Sequence, residues 1–232
     1  MDDLVTKIAV IESRLCAVTS IAERDRKDVL LLAVSKTRSA ESIRQVAETG
    51  IKSFGENYLQ EALAKIASLQ SLDLDWHFIG PIQSNKTRQI SENFAWAHSV
   101  DRVKIAQRLN DQRPSHMAPL NICMQINIDN EATKSGFSTE QALPAALEIT
   151  ALPNLNLRGL MAIPAARENI EAQRLPFAKL RLLLEDINRS LDNSEKLDTL
   201  SMGMSADLEA AILEQATIVR VGTDIFGPRS TK

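Results

Sequence analysis

The sequence predicts an α/β protein folded as a single (β/α)8 barrel, and three observations carry that reading. Apolar, strand-like runs alternate with helix-like stretches, and there are eight such runs. Several of them are apolar at every position, as Val29-Leu-Leu-Leu-Ala-Val34 is, which suits a parallel sheet covered on both faces. The chain has 232 residues, close to the roughly 250 of one such barrel.

Taken in order, Leu4, Ile8, Ile11, Leu15, Val18 and Ile21 recur at helical spacing and predict an amphipathic helix over 4–26, ahead of the barrel at about 29–229. Strands are expected at 29–36, 53–57, 76–79, 96–100, 121–127, 157–163, 199–203 and 218–222. Helices are expected near 39–49, 58–70, 84–93, 102–112, 139–150, 173–190 and 206–216. A β, α, β, α order implies parallel strands joined by right-handed crossovers. An open doubly wound sheet fits less well, because no Gly-x-Gly-x-x-Gly turn follows the first strand. No linker, internal repeat or low-complexity segment divides the chain, so 1–232 reads as one domain.

Composition narrows the function. The chain is 44% hydrophobic and 25% charged, the make-up of an ordinary globular protein. Its 27 basic and 30 acidic residues are scattered and sum to −3, which argues against nucleic acid as a partner. Cys16 and Cys123 stand far apart, and His77, His98 and His116 stand alone, so neither a disulfide framework nor a metal site is expected. There is no basic, apolar leader and no run of about 20 apolar residues, so no membrane partner and a cytoplasmic location are expected.

Polar residues collect at the C-terminal ends of the strands, the rim where barrel proteins keep their sites. Lys36 ends the first strand. Alone, such a lysine is ordinarily just solvated; in a partly desolvated pocket its charged form is disfavoured, and a neutral amine can attack an aldehyde. Thr199 to Ser205 offers Ser201 and Gly203 at the end of the seventh strand, with Ser205 as a cap for a helix beginning at Ala206. This is either an ordinary strand-turn-helix connection or, with its hydroxyls and bare backbone, a cradle for phosphate.

The eighth strand ends in Gly222 and Thr223, beside the seventh, where barrels often bind phosphate. Alternation sets Arg220 on one face with Ile218 and Gly222, opposite Val219 and Val221. It either makes a structural salt bridge in the barrel or faces a ring nitrogen or anion of a ligand. Asn57 could hydrogen-bond a ligand held by Lys36, or serve a simple turn. His77 reads as a hydrogen-bonded core residue.

The phrases AVSKTRS, FGENYLQEA, WHFIGPIQSNKTR, SVDRVKIA, GLMAIP, SMGMSADLEAAI and ATIVRVGTDIFGPR, in that order, resemble the YggS/PROSC family of pyridoxal phosphate homeostasis proteins. The resemblance runs from about residue 29 to 229. It implies a fold similar to the N-terminal domain of fold-type III pyridoxal enzymes such as alanine racemase. It also implies pyridoxal 5'-phosphate (PLP) as cofactor, held on Lys36 as an internal aldimine. Ser201, Gly203, Gly222 and Thr223 would lie near the phosphate, and Arg220 would face the pyridine nitrogen. Two departures stand out. Ala206 occupies a place where the family usually has Asp, and Glu214-Gln215-Ala216 lacks the glycine often seen before the last strand.

The function implied is PLP homeostasis, storage or delivery by a monomer with no catalytic residues, apo PLP-dependent enzymes being the recipients. The alternative is an amino-acid racemase-like enzyme, which would need a second base and normally a β-rich second domain. Tyr58, the sole tyrosine, is the only phenol available, and the chain runs only about ten residues past the eighth strand. A Schiff-base aldolase would share the lysine and phosphate cradle but show no visible cofactor band.

Overall fold

The computed structural model describes residues 2–228; Met1 and the residues from Arg229 onward, where the expected barrel ends, lie outside the described part. The first element is helix α1 (Asp2–Ile21), which stops five residues short of expectation because Glu23 takes a left-handed backbone, φ 53°.

The barrel then alternates without interruption: β1 (Leu30–Val34), α2 (Ala40–Ala47), β2 (Ser53–Glu56), α3 (Leu59–Ser68), β3 (Asp75–Phe78), α4 (Thr87–Asn93), β4 (Trp96–Val100), α5 (Val103–Gln112), β5 (Leu120–Gln125), α6 (Thr139–Thr150), β6 (Leu155–Met161), α7 (Ile170–Ser190), β7 (Thr199–Met204), α8 (Leu208–Leu213), β8 (Ile218–Val221) and a short α9 (Thr223–Phe226). All neighbouring strands pair parallel, and β1 pairs with β8, Leu30 to Ala33 against Ile218 to Val221, which closes the ring. The expected (β/α)8 barrel is therefore the observed fold.

Local chemistry sets the helix starts. Ser39 accepts from the Ser42 N–H at the start of α2, Ser138 and Gln141 form a capping box on α6, and Asn169 accepts from the Ala172 N–H to open α7 three residues earlier than expected. Two expectations fail around α8. The helix begins at Leu208, and Ser205 does not cap it: Asp207 accepts from the Met204 N–H at 2.6 Å, and the Ser205 carbonyl accepts from Arg14. The chain also makes one more helical turn than expected, α9, directly after β8.

The main apolar core lies between the strands and the helix ring. It joins Ile43, Ala62, Ile90, Leu109 and Phe177 of the helices to Leu31, Ala33, Phe54, Val219 and Val221 of the strands. Leu32, Cys123 and Met161 are buried outside that cluster, on the alternate strand positions that face the barrel axis. Arg220, between Val219 and Val221, shares that inner face as its alternation predicts. Helix α1 packs on α8 and α9, where Arg14 donates to Glu209 at 2.7 Å, Asp224 at 3.0 Å and the Ser205 carbonyl at 2.9 Å.

Candidate functional site

At the C-terminal rim a cavity of about 290 Å³ opens between the strand ends. Val34 ends β1 and Lys36 lies just past it, Asn57 and Ile79 lie just beyond β2 and β3, and Met161 ends β6 with Ile163 just past it. Met204 ends β7 with Ser205 and Ala206 just past it, and Arg220 lies in β8 with Gly222 just past it and Thr223 opening α9. Five of the residues singled out in the sequence, Lys36, Asn57, Arg220, Gly222 and Thr223, thus converge on one cavity. Ser201 and Gly203 do not line it.

The reason is a bulge. Ser201 pairs with Ile218, yet Met204 pairs with Arg220, so three steps on β7 oppose two on β8. Gly203, at φ 90°, absorbs the extra residue and turns toward α8, where a Cβ would meet that of Ala211 at 2.6 Å. Strict alternation would put Gly203 on the inner face; the bulge puts Met204 there and presents Ser205 and Ala206 beyond it. Nothing in the sequence except the flanking small residues signals that shift.

Lys36 sits just past β1, half-buried, in a turn closed by Arg38 N–H donating to the Ser35 carbonyl at 3.0 Å. Asn57 lines the cavity with its Oδ1 buried and without a hydrogen-bond partner among the described residues. Buried acceptors are rarely left so, and this one suits a ligand that brings a donor.

Arg220 is buried and, among the described residues, makes no salt bridge, the structural alternative weighed from the sequence: it donates to the Ser201 carbonyl at 2.6 Å, Ser201 Oγ at 2.8 Å and the Ala162 carbonyl at 2.9 Å. Burial pushes its pKa down to about 10, with the charge of Asp207 opposing, so it stays charged at neutral pH. Behind it runs a buried chain that sequence reasoning missed. Ser201 Oγ lies 2.8 Å from His98 Nδ1, and His98 Nε2 lies 2.9 Å from His77 Nδ1. With Arg220 donating to Ser201, the hydroxyl proton is left for His98 Nδ1, which makes His98 a donor to His77. Both rings are neutral: burial lowers His77 to about 3, and burial followed by the charges nearby holds His98 well below its usual range. The expected core role for His77 is what the structure shows. Among the described residues no cluster of His, Cys, Asp and Glu could hold a metal ion.

Residues 12–230 match the alanine racemase N-terminal domain family. The pyridoxal phosphate homeostasis protein of Pseudomonas aeruginosa is 55% identical over 230 residues, 99% of this chain and 97% of that protein; its Escherichia coli K12 counterpart is 44% identical over 232 residues, 99% and 98%. The chain belongs to the pyridoxal phosphate homeostasis protein family. A structure of another relative, PipY of Synechococcus elongatus with PLP bound, superposes with a TM-score of 0.81 at 35% identity, covering 94% of this chain and 100% of that one. Alanine racemase of Clostridium difficile shares the barrel alone, with a TM-score of 0.68, 15% identity and 58% of its chain covered. In this chain Gln215 takes a left-handed backbone, φ 70°, in the stretch where the sequence lacks a glycine, so the turn is made at some strain.

Proposed function

We propose that this chain binds PLP in the rim cavity, with Lys36 joined to it as a Schiff base, and serves intracellular PLP homeostasis by storing or delivering the cofactor without robust catalysis. The observation that supports this most is the convergence of an amine, an unpartnered buried acceptor, a fixed guanidinium and two hydroxyls on one cavity. Its volume sits near the low end of the roughly 300–1,000 Å³ that small ligands occupy, which fits a single-ring cofactor. The chemistry such a group brings is an electrophilic aldehyde carbon and an electron-withdrawing ring.

Each residue then has a task. Lys36 supplies the amine. Asn57 Oδ1 accepts from a donor on the ligand. Ser205, Thr223 and the bare backbone at Gly222 take the place expected for the phosphate, a revision of the expected set in which Ser201 and Gly203 act one step behind. Ser201 holds Arg220, and Gly203 lets α8 approach β7. The Arg220 guanidinium can only donate and cannot accept a proton or hydrogen bond, so a ring nitrogen beside it stays unprotonated and withdraws electrons weakly. Tyr58 is exposed and does not line the cavity, which weakens the racemase alternative further.

The test is a visible spectrum with borohydride trapping, followed by incubation with alanine or serine in deuterated water. Wild type is expected to show a trappable band that Lys36→Ala lacks, and no α-deuteration above a free-cofactor control. A trappable adduct in Lys36→Ala would refute the linkage. Lys36-dependent racemisation at about one per second or faster would refute the binding role.

A further inference from the structure

Beneath the Lys36 turn lies a polar network that the cofactor reading does not use. Ser35, Glu56 and Lys65 are all buried, at 0%, 0% and 5% exposure. Ser35 Oγ donates to Glu56 Oε1 at 2.6 Å, and Lys65 Nζ donates to the same oxygen at 2.7 Å and to the Ser35 carbonyl at 2.8 Å. Lys65 is also paired with Glu61, one helical turn earlier on α3. Glu61 Oε1 in turn accepts the Thr37 N–H at 2.6 Å.

Two features make this more than packing. Thr37 has φ 63°, a left-handed backbone that a β-branched residue rarely adopts, and it follows Lys36 directly. Something must hold it there, and the Glu61 carboxylate on its N–H does so. The network is also an expensive way to stabilise a fold: Glu56 Oε2 is buried without a partner among the described residues, and burial, against the pull of Lys65, raises the Glu56 pKa. Buried ion pairs often stabilise less than apolar residues of the same size. Yet the side-chain bonds of Glu56, Glu61 and Lys65 go to one another and to Ser35 and Thr37, the two residues that flank Lys36.

We propose that Glu61, oriented by Lys65, is a positioning residue for Lys36: it pins the Thr37 N–H, holds the turn in its strained form and so aims the Lys36 amine into the rim cavity. The inference rests on Lys36 being the cofactor lysine. Glu61 itself stays clear of the cavity lining, so it acts only through the backbone of the turn.

The experiment compares wild type, Glu61→Ala, Glu61→Gln and Lys36→Ala, each loaded with PLP. It measures the rate at which hydroxylamine strips the cofactor and, separately, the thermal midpoint of each apo protein. Gln keeps an oxygen able to accept from both Thr37 and Lys65, whereas Ala removes it; both lose the charge. Glu61→Ala is expected to release cofactor about tenfold faster, the size of one hydrogen bond, and Glu61→Gln to stay within about twofold of wild type. The two apo variants should melt close together. Stripping by Glu61→Ala at the wild-type rate would overturn the proposal, and so would a Gln variant as fast as Ala, which would reduce Glu61 to a charge. A wild-type band that survives in Lys36→Ala would instead bring down the covalent reading and this inference with it.

Discussion

Arg220 shows what a single side chain needs in order to stay charged inside a barrel. Three oxygens bind it, and the hydroxyl among them is backed by two neutral histidines. That arrangement sets a pH dependence whose sign follows from the histidines. Folded His77 titrates at about 3, against 6.5 when unfolded, so between those values the unfolded chain binds a proton that the folded chain refuses. Stability should therefore be intact above pH 6.5 and fall by about 1.4 kcal/mol per pH unit and per histidine as the pH drops below it. Urea unfolding of the apo protein at pH 7 and pH 5 measures this, with His77→Gln expected to shrink the loss; an equal loss in that variant would place the protons elsewhere. In the sequence, Lys36, Asn57 and Arg220 could be found because each ends or interrupts an apolar strand. The histidine chain could not, since its members lie on β3, β4, β7 and β8, and only the closed barrel brings them together.

Elements were legible wherever periodicity was long. The span of α6 agrees with expectation to the residue because Ser138 and Gln141 announce its start. The ends of α1 and α8 were not, because their last turns are set by left-handed residues, Glu23 and Gln215, that carry no sequence flag in the absence of glycine. At α8 the Gln215 N–H donates to Ile212 and the Ala216 N–H to Ala211, a tight helix stop that glycine would make without steric conflict. Gln215→Gly should thus raise stability by about 0.5–1 kcal/mol, the left-handed penalty less the added freedom of the unfolded chain. Thermal unfolding checks it, and a lowered midpoint would mean that the Gln215 side chain contributes more than its backbone strains. The bulge in β7 is the element that misled the site reading. It shifts the inward residue by one, so that Met204, Ser205 and Ala206 reach the cavity in place of Gly203.

For the whole molecule, the alternation of apolar runs and helices sufficed to foresee a closed parallel barrel, and the polar strand ends pointed to the rim at which the cavity opens. What alternation cannot supply is which rim residues meet, because that depends on how far each strand is staggered around the ring. One consequence follows from the pairing of β1 with β8. Lys36 and Arg220 border the same cavity but are separated by almost the entire chain, and the last strand to leave the ribosome is the one that completes the ring. During synthesis, then, the lysine is exposed long before its guanidinium neighbour exists, and no intermediate length can hold the ligand from both sides. Ribosome-stalled chains ending before Ile218 should leave no borohydride-fixed cofactor on Lys36 at concentrations that load the released protein. Under the proposed function, loading would belong to the finished barrel, and the growing chain would take nothing from the PLP pool.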